Sequence, residues 1–299
     1  MKTQTISTPV SLSGRGLHTG KNVTVSFNPA PENTGVLFRR VDLPGQPIVH
    51  ALATNVFDTS RGTSLKENNA EVRTVEHLMA SLSGLQIDNV IVDIDAEETP
   101  ILDGSARLYV EALQKAGRVE QQQEREYFVV TEPMTFSLPE RQTELRVEPY
   151  DGFEVNVDVD YGTTVLASQT AELKNITEFV PEIYNCRTFV FLHELQFLIA
   201  NNLVKGGDVD NAIVFVSQMP EQQVLDQLSA FFNRKNLKVT ENGVLDNVEL
   251  HFPNEPARHK LLDLVGDLYL LGKPFKGRVY ASHPSHFANT EFAKKLLSK

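Results

Sequence analysis

The chain has a single cysteine, Cys186, and no tryptophan. One thiol excludes an intrachain disulfide framework and any zinc site built on paired thiolates, and it fits a reducing compartment. No run of about eighteen apolar residues occurs, which excludes a transmembrane helix. Basic residues are the minority charge: 28 Lys and Arg stand against 39 Asp and Glu, a formal net charge of -11. Nucleic-acid binding wants a basic surface, so that partner class is set aside, while a local basic pocket for one anionic ligand is not. The opening MKTQTI lacks the apolar core of a signal peptide, and the expected location is cytoplasmic.

What is present is a globular composition, 41% hydrophobic and 22% charged, over 299 residues, enough for two domains. Val23–Phe27 alternates as a half-buried strand does, and Asn89–Ile94 is a β-branched strand core. Between them, apolar residues at 75, 78, 79, 82 and 85 mark a helix, with Thr74 as its N-cap and Gly84 near its end. A second helix is expected over 106–116. Arg118–Glu126 is polar and aperiodic, and reads as an inter-domain linker or as a helix end plus loop. The expected units are therefore an N-terminal domain over 1–120 and a C-terminal domain over 127–299. Strands restart at Glu144–Glu148 and Phe153–Val159. A helix around Phe191–Asn201, a strand at Ala212–Val216, a strong helix over Arg258–Leu271 and a strand at Arg278–Ser282 follow. HLMASLSGL and HKLLDLVGDL are faintly alike, which points to two facing α+β domains.

The helix after Arg258 carries the chemistry. At about 100° per residue, His259, Asp263 and Asp267 share one stripe, and Leu261, Leu262, Leu264, Val265 and Leu268 take the other side. His and Asp at i and i+4 suit two ligands on one metal. The plain alternative is a solvated face with a chance His-Asp pair, and on this helix alone it is the stronger. Glu76-His77, in the first turn of its helix, would add a second imidazole and a carboxylate base beside the attacking water. A half-buried helical histidine is the alternative there. In ASHPSHFANT, residues 281–290, two histidines lie three apart in a loop after a strand. Either both are surface groups, or one stabilises an oxyanion or acts as an acid, with Asp267 orienting it. Spacing does not choose between His283 and His286. His18 sits in GRGLHTG, a turn without the ending of a phosphate-binding loop.

The segments GLHTG at 16–20, TVEH at 74–77, ILDGS at 101–105, RTF at 187–189 and RHKLLD at 258–263 occur in this order. With Gly266-Asp267 and HFAN at 286–289, they resemble the UDP-3-O-acyl-N-acetylglucosamine deacetylases over nearly the whole chain. The resemblance implies two similar domains, each a sheet packed with helices, an active site at their interface, and a βαβ unit inserted in the second domain over about 195–216. It implies Zn2+ held by His77, His259 and Asp263, with Glu76 as general base. His286 would be the cationic stabiliser and acid, Asp267 would keep it charged, and Thr188 would bond the oxyanion. Lys260 and His283 would sit near the diphosphate or sugar. Tyr161 would face the uracil, Phe189 would line the pocket, and Leu203, Ala212 and Val214 would line an acyl passage.

The implied reaction is hydrolysis of the N-acetyl group of a UDP-3-O-acyl-N-acetylglucosamine, the committed step of lipid A synthesis in Gram-negative bacteria. Arg61-Gly62-Thr63-Ser64 stands where some relatives carry cysteines, and His283 stands at a frequently basic position. The acylated substrate implies transient contact with a membrane surface. A monomer is expected, unless the chain is one half of a fusion with a hydroxyacyl-carrier-protein dehydratase. Two rival readings remain: a non-haem Fe(II) enzyme using the same three ligands, and a non-catalytic sugar-nucleotide or lipid binding protein with a structural metal.

Overall fold

Two sheets built to one plan carry the architecture in the computed structural model, which describes residues 1–246 and 248–299. Across the first sheet lie Val10–Arg15, Asn22–Pro29, Val90–Ile94, Val36–Arg40 and Ile48–His50. Across the second lie Met134–Leu138, Thr143–Glu148, Phe275–Ser282, Phe153–Val159 and Gln169–Leu173, and Phe128–Val129 also pairs with the central strand. In both, the strand last in sequence runs up the middle, antiparallel to the second strand and parallel to the third. Residues Phe275–Ser282 alternate strictly between buried and half-buried, as a strand with one face on a core must.

Seven helices occur among the described residues: α1 (Glu76–Gly84), α2 (Arg107–Ala116), α3 (Phe179–Glu182), α4 (Leu192–Ala200), α5 (Gln222–Phe231), α6 (Glu255–Tyr269) and α7 (His286–Leu297). Helix α1 precedes and α2 follows the central strand of the first sheet, and α6 and α7 hold the same places around the second. The faint likeness between residues 77–85 and 259–268 thus belongs to helices in equivalent positions. Each half also carries an insertion before its first such helix. In the first it is a three-stranded sheet of Val56–Asp58, Ser64–Glu67 and Ala70–Val72. In the second, Phe189–Phe191 and Ile213–Phe215 run parallel with α4 between them, a βαβ unit. The protein is α+β. None of the described helices is long and apolar enough to cross a membrane.

Helices α1 and α6 pack on each other with almost no exposed residue between them. Gly266 makes the contact possible: a Cβ there would lie 2.1 Å from the Glu76 carbonyl oxygen. Gly266→Ala is expected to force the helices apart and cost about 1–3 kcal/mol, read by urea unfolding. Unchanged stability would mean that the two backbones do not need this approach.

Three local expectations fail for identifiable reasons. Thr74 does not cap α1: its φ is +57°, and its hydroxyl donates to Glu98 Oε1 at 3.2 Å instead. Arg118–Glu124 is a strand paired with Lys2–Ile6 rather than a connecting loop, and its single apolar residue, Val119, carries no alternation to read. The segment after Ser282 is a loop only as far as Ser285, whose hydroxyl accepts from Ala288 N at 3.3 Å and caps α7 at its N-terminus.

Candidate metal centre

His77 enters from the first turn of α1, while His259 and Asp263 sit one turn apart on α6. All three are buried, at 5%, 2% and 2% exposure, which removes the solvated-face reading of α6. One donor atom from each lies within 4.8 Å of the others. His77 Nε2 is 3.7 Å and His259 Nε2 3.4 Å from Asp263 Oδ1. The tautomer of His259 follows from its other nitrogen. Nδ1 lies 3.0 Å from the Cys186 carbonyl, which can only accept, so Nδ1 carries the proton and Nε2 keeps its lone pair for the cluster. Burial pushes His259 down to about 3, and the ring is neutral.

Asp263 Oδ1 is buried and has no hydrogen-bond partner among the described residues. A buried carboxylate oxygen with no hydrogen-bond partner, facing the His259 lone pair, is costly, and a divalent cation removes that cost. Two imidazoles and one carboxylate are also the donor set of catalytic sites that keep a position open. The residues fit a metal.

Two groups flank the cluster. On one side Glu76 is buried, and its Oε2 accepts from Thr63 N at 2.9 Å. Burial pushes its carboxyl up, and His286 and His77 only partly offset this. Gly62 lets the chain come this close: a Cβ there would lie 2.7 Å from Glu76 Oε1, and its φ of +142° suits glycine. On the other side His286, the first residue of α7, places Nδ1 3.1 Å from Asp267 Oδ2 and Nε2 3.8 Å from Asp263 Oδ2. Asp267 is fully buried and also accepts from Thr63 Oγ1 at 2.5 Å and Asn289 Nδ2 at 2.9 Å. Burial works against the imidazolium, but Asp267 and Asp263 outweigh it and lift His286 to about 9. Between the two loop-region histidines, geometry selects His286. His283 points elsewhere, with φ +48° and Nδ1 3.0 Å from Ser282 Oγ.

Lys260 Nζ donates to Asp263 Oδ2 at 2.9 Å and lies 5.6 Å from the centre of the Phe189 ring. It shares with Arg141, His286 and Lys294 the wall of a cavity of about 620 Å3. Thr188, Phe189, Ala212 and Val214 line a second, mainly apolar cavity of about 200 Å3, walled further by Leu195 and Leu198 of α4. Leu203 is not in that lining. It borders a third cavity, of about 240 Å3, and its carbonyl accepts from Arg61 Nη1 at 2.9 Å. Tyr161 packs edge-on against Phe189, ring centres 5.5 Å apart.

Several organising residues escaped the sequence reading. Thr63 bridges Glu76 and Asp267 through its backbone and side chain, yet in the sequence it is one threonine in a polar turn. Glu98, 1% exposed, accepts from His18 N at 2.9 Å, Thr19 N at 2.8 Å and Thr19 Oγ1 at 2.7 Å as well as from Thr74. It ties the glycine-rich turn to the segment entering α1. Asn289 lies within a quoted motif, but its amide partner, Asp267, is 22 residues back on another helix, beyond any local spacing rule.

The geometry defines a class: an α+β protein with a buried two-histidine, one-aspartate cluster that could hold a metal, where the paired helices of two like sheets meet. Residues 3–232 and 232–298 match the family described as LpxC, UDP-3-O-acyl N-acetylglycosamine deacetylase, and the chain belongs to that family. It is 44% identical over 295 residues to the bifunctional enzyme LpxC/FabZ of Porphyromonas gingivalis, covering 99% of this chain and 64% of that protein. To the bifunctional enzyme LpxC/FabZ of Chlorobaculum tepidum it is 43% identical, covering 98% and 63%. To the UDP-3-O-acyl-N-acetylglucosamine deacetylase of Psychrobacter cryohalolentis it is 34% identical over 301 residues, covering 100% and 86%. The chain thus spans just under two thirds of the length of the bifunctional relatives.

Proposed function

We propose that this protein hydrolyses the N-acetyl group of a UDP-3-O-acyl-N-acetylglucosamine, releasing acetate and the free 2-amine in lipid A synthesis, with zinc as its resident metal. The observation that carries the reading is the flanking of His77, His259 and Asp263 by a buried carboxylate and a charged imidazole. The names of the relatives support the same reaction. A metal held by the triad would polarise the acetamide carbonyl and acidify the attacking water.

The chain's own groups do the rest. Glu76, its carboxyl raised by burial, accepts the proton of the attacking water. The His286 imidazolium faces the developing oxyanion and then protonates the departing amine, while Asp267 holds the ring charged and oriented. The Thr188 hydroxyl adds a donor to the oxyanion. The large cavity with Lys260, Arg141 and Lys294 suits a nucleoside diphosphate, and the apolar one with Ala212 and Val214 suits an acyl chain. Tyr161, packed on Phe189, offers a face for the uracil. His283 and Leu203 have no part in this reading. The shared sheet plan supports a division into domains over 1–120 and 127–299, and the expected setting is the cytoplasm.

The test is acetate release from the UDP-3-O-acyl-N-acetylglucosamine substrate, lost on chelation and restored by zinc. No release with either zinc or iron restored would overturn the reading. Dependence on iron and O2 would favour the non-haem alternative.

A further inference from the structure

Arg187 belongs to one of the ordered motifs, yet it neither joins the metal cluster nor lines any of the three cavities around it. Its side chain, 8% exposed, turns to Glu255, which is fully buried at the start of α6. Arg187 Nε lies 3.0 Å from Glu255 Oε1, and Nη2 lies 3.2 Å from Oε2. Nη2 also donates to the Glu249 carbonyl. The carboxylate does more than pair a charge. It accepts the backbone N–H of Arg187 at 3.0 Å and that of His251 at 2.7 Å. His251 Nδ1 in turn lies 2.8 Å from the Asn185 carbonyl.

The neighbours of Arg187 are the ones the site uses. Cys186 supplies the carbonyl that fixes His259, at 3.0 Å. Thr188 is held by N–H donation to Gly104 O at 2.8 Å and by acceptance from Ile213 N at 2.9 Å. Glu255 and His259 are one turn apart on α6. The contacts therefore close a ring: α6 through Glu255 to the Arg187 backbone, through Cys186 to His259, and back to α6.

From this ring we infer that the buried Arg187–Glu255 pair is a positioning strut, which sets the orientation of the His259 imidazole by clamping the Cys186 peptide to α6 and fixes the Thr188 peptide beside it. The inference rests on the metal site but not on the identity of the substrate. A strut of this kind acts on metal affinity, because the hydrogen bond to the far nitrogen of a ligating histidine fixes its tautomer and aim. A buried ion pair that only stabilises the fold would not.

The experiment uses metal-free full-length protein titrated with Zn2+ and histidine NMR of the same samples. Glu255→Gln keeps the shape but has one acceptor oxygen where the two backbone N–H groups use different oxygens, so it loses one of those bonds along with the charge that grips Arg187. Zinc binding is expected to weaken by about 10–100-fold, and the hydrogen-bonded Nδ1 proton of His259 is expected to shift or broaden. The control is Asp88→Asn, which loosens a second buried pair: Arg125 Nη2 to Asp88 Oδ2 at 2.6 Å, with side chains 2% and 8% exposed. That pair sits toward the far end of α6, where Arg125 and Tyr269 border one cavity. Its loss is expected to lower stability and leave zinc affinity within about twofold of the wild type.

Should Glu255→Gln not fold, the double variant Arg187→Met with Glu255→Gln leaves no buried charge unpaired and takes its place, with the same expectation. A folded variant with wild-type zinc affinity and an unmoved His259 resonance overturns the strut. Equal loss of affinity in Asp88→Asn overturns it as well, since the effect would then be global. If the wild type takes up no zinc, the metal reading falls, and the His259 resonance alone decides the strut.

Discussion

Glu76→Gln is expected to lower the rate of acetate release by about 10²–10⁴-fold while metal content stays at the wild-type level. Glutamine matches the volume of the carboxylate and retains an oxygen for the Thr63 N–H, so the turn at Gly62 and the packing of α1 on α6 are kept. What disappears is the proton acceptor. His77, the adjacent residue, still faces His259 and Asp263. Stability should not suffer. The folded protein holds the Glu76 proton more tightly than the unfolded chain does, because burial raises its carboxyl. A raised acid destabilises the fold as pH climbs past its unfolded value, and the neutral amide removes that dependence. The variant should therefore unfold at or above the wild-type temperature at neutral pH. Near-normal acetate release by a folded, metal-loaded Glu76→Gln would take the base assignment away from this residue. Loss of metal along with activity would mean that Glu76 serves binding rather than proton transfer.

The periodic parts of this molecule were legible in its sequence, and the parts closed by tertiary contacts were not. Val23–Phe27 and the Leu-rich face of α6 bury one side against a core, so their spacing shows. Arg118–Glu124 is stabilised by its ladder to Lys2–Ile6, with nearly all its side chains in solvent, and hydrophobic spacing cannot see a ladder. Thr74 looked like a cap because threonine before a helix usually is one; Glu98, buried across the turn, offered a stronger partner. The site divides in the same way. His259 and Asp263 share a helix face by spacing alone, but that face could equally have met water. Only the packing of α1 on α6 turns it inward, and Gly266, which allows that packing, reads in the sequence as a minor flaw in a helix. The unpartnered oxygen of Asp263 and the clamp on Cys186 are properties of the folded chain, with no counterpart in residue order.

The second large loss is expected at His286. His286→Gln should cost about 10²-fold or more in the rate of acetate release, because the amide can still donate a hydrogen bond but cannot surrender a proton to the amine. The sharper version of this prediction concerns pH. His286 is lifted from 6.5 to about 9, against burial, by the carboxylates of Asp267 and Asp263. If the imidazolium is the acid, activity is present below that range and falls as pH rises through about 9. The same shift has a stability consequence of matching sign. A histidine raised on folding contributes stability that is complete below its unfolded value and is lost as pH rises through its folded one. Asp267→Asn removes the nearer negative charge; its one oxygen can still accept from Asn289, while its NH2 takes the place of the oxygen that faced the Thr63 hydroxyl, which can itself accept. It should move the alkaline limb of the rate profile to lower pH and narrow the window over which stability declines. Rate profiles and unfolding temperatures measured across pH 6–10 on the metal-loaded protein would show both effects. An alkaline limb that stays in place in Asp267→Asn would assign it to another group, and His286 would then be a neutral hydrogen-bond donor rather than the acid.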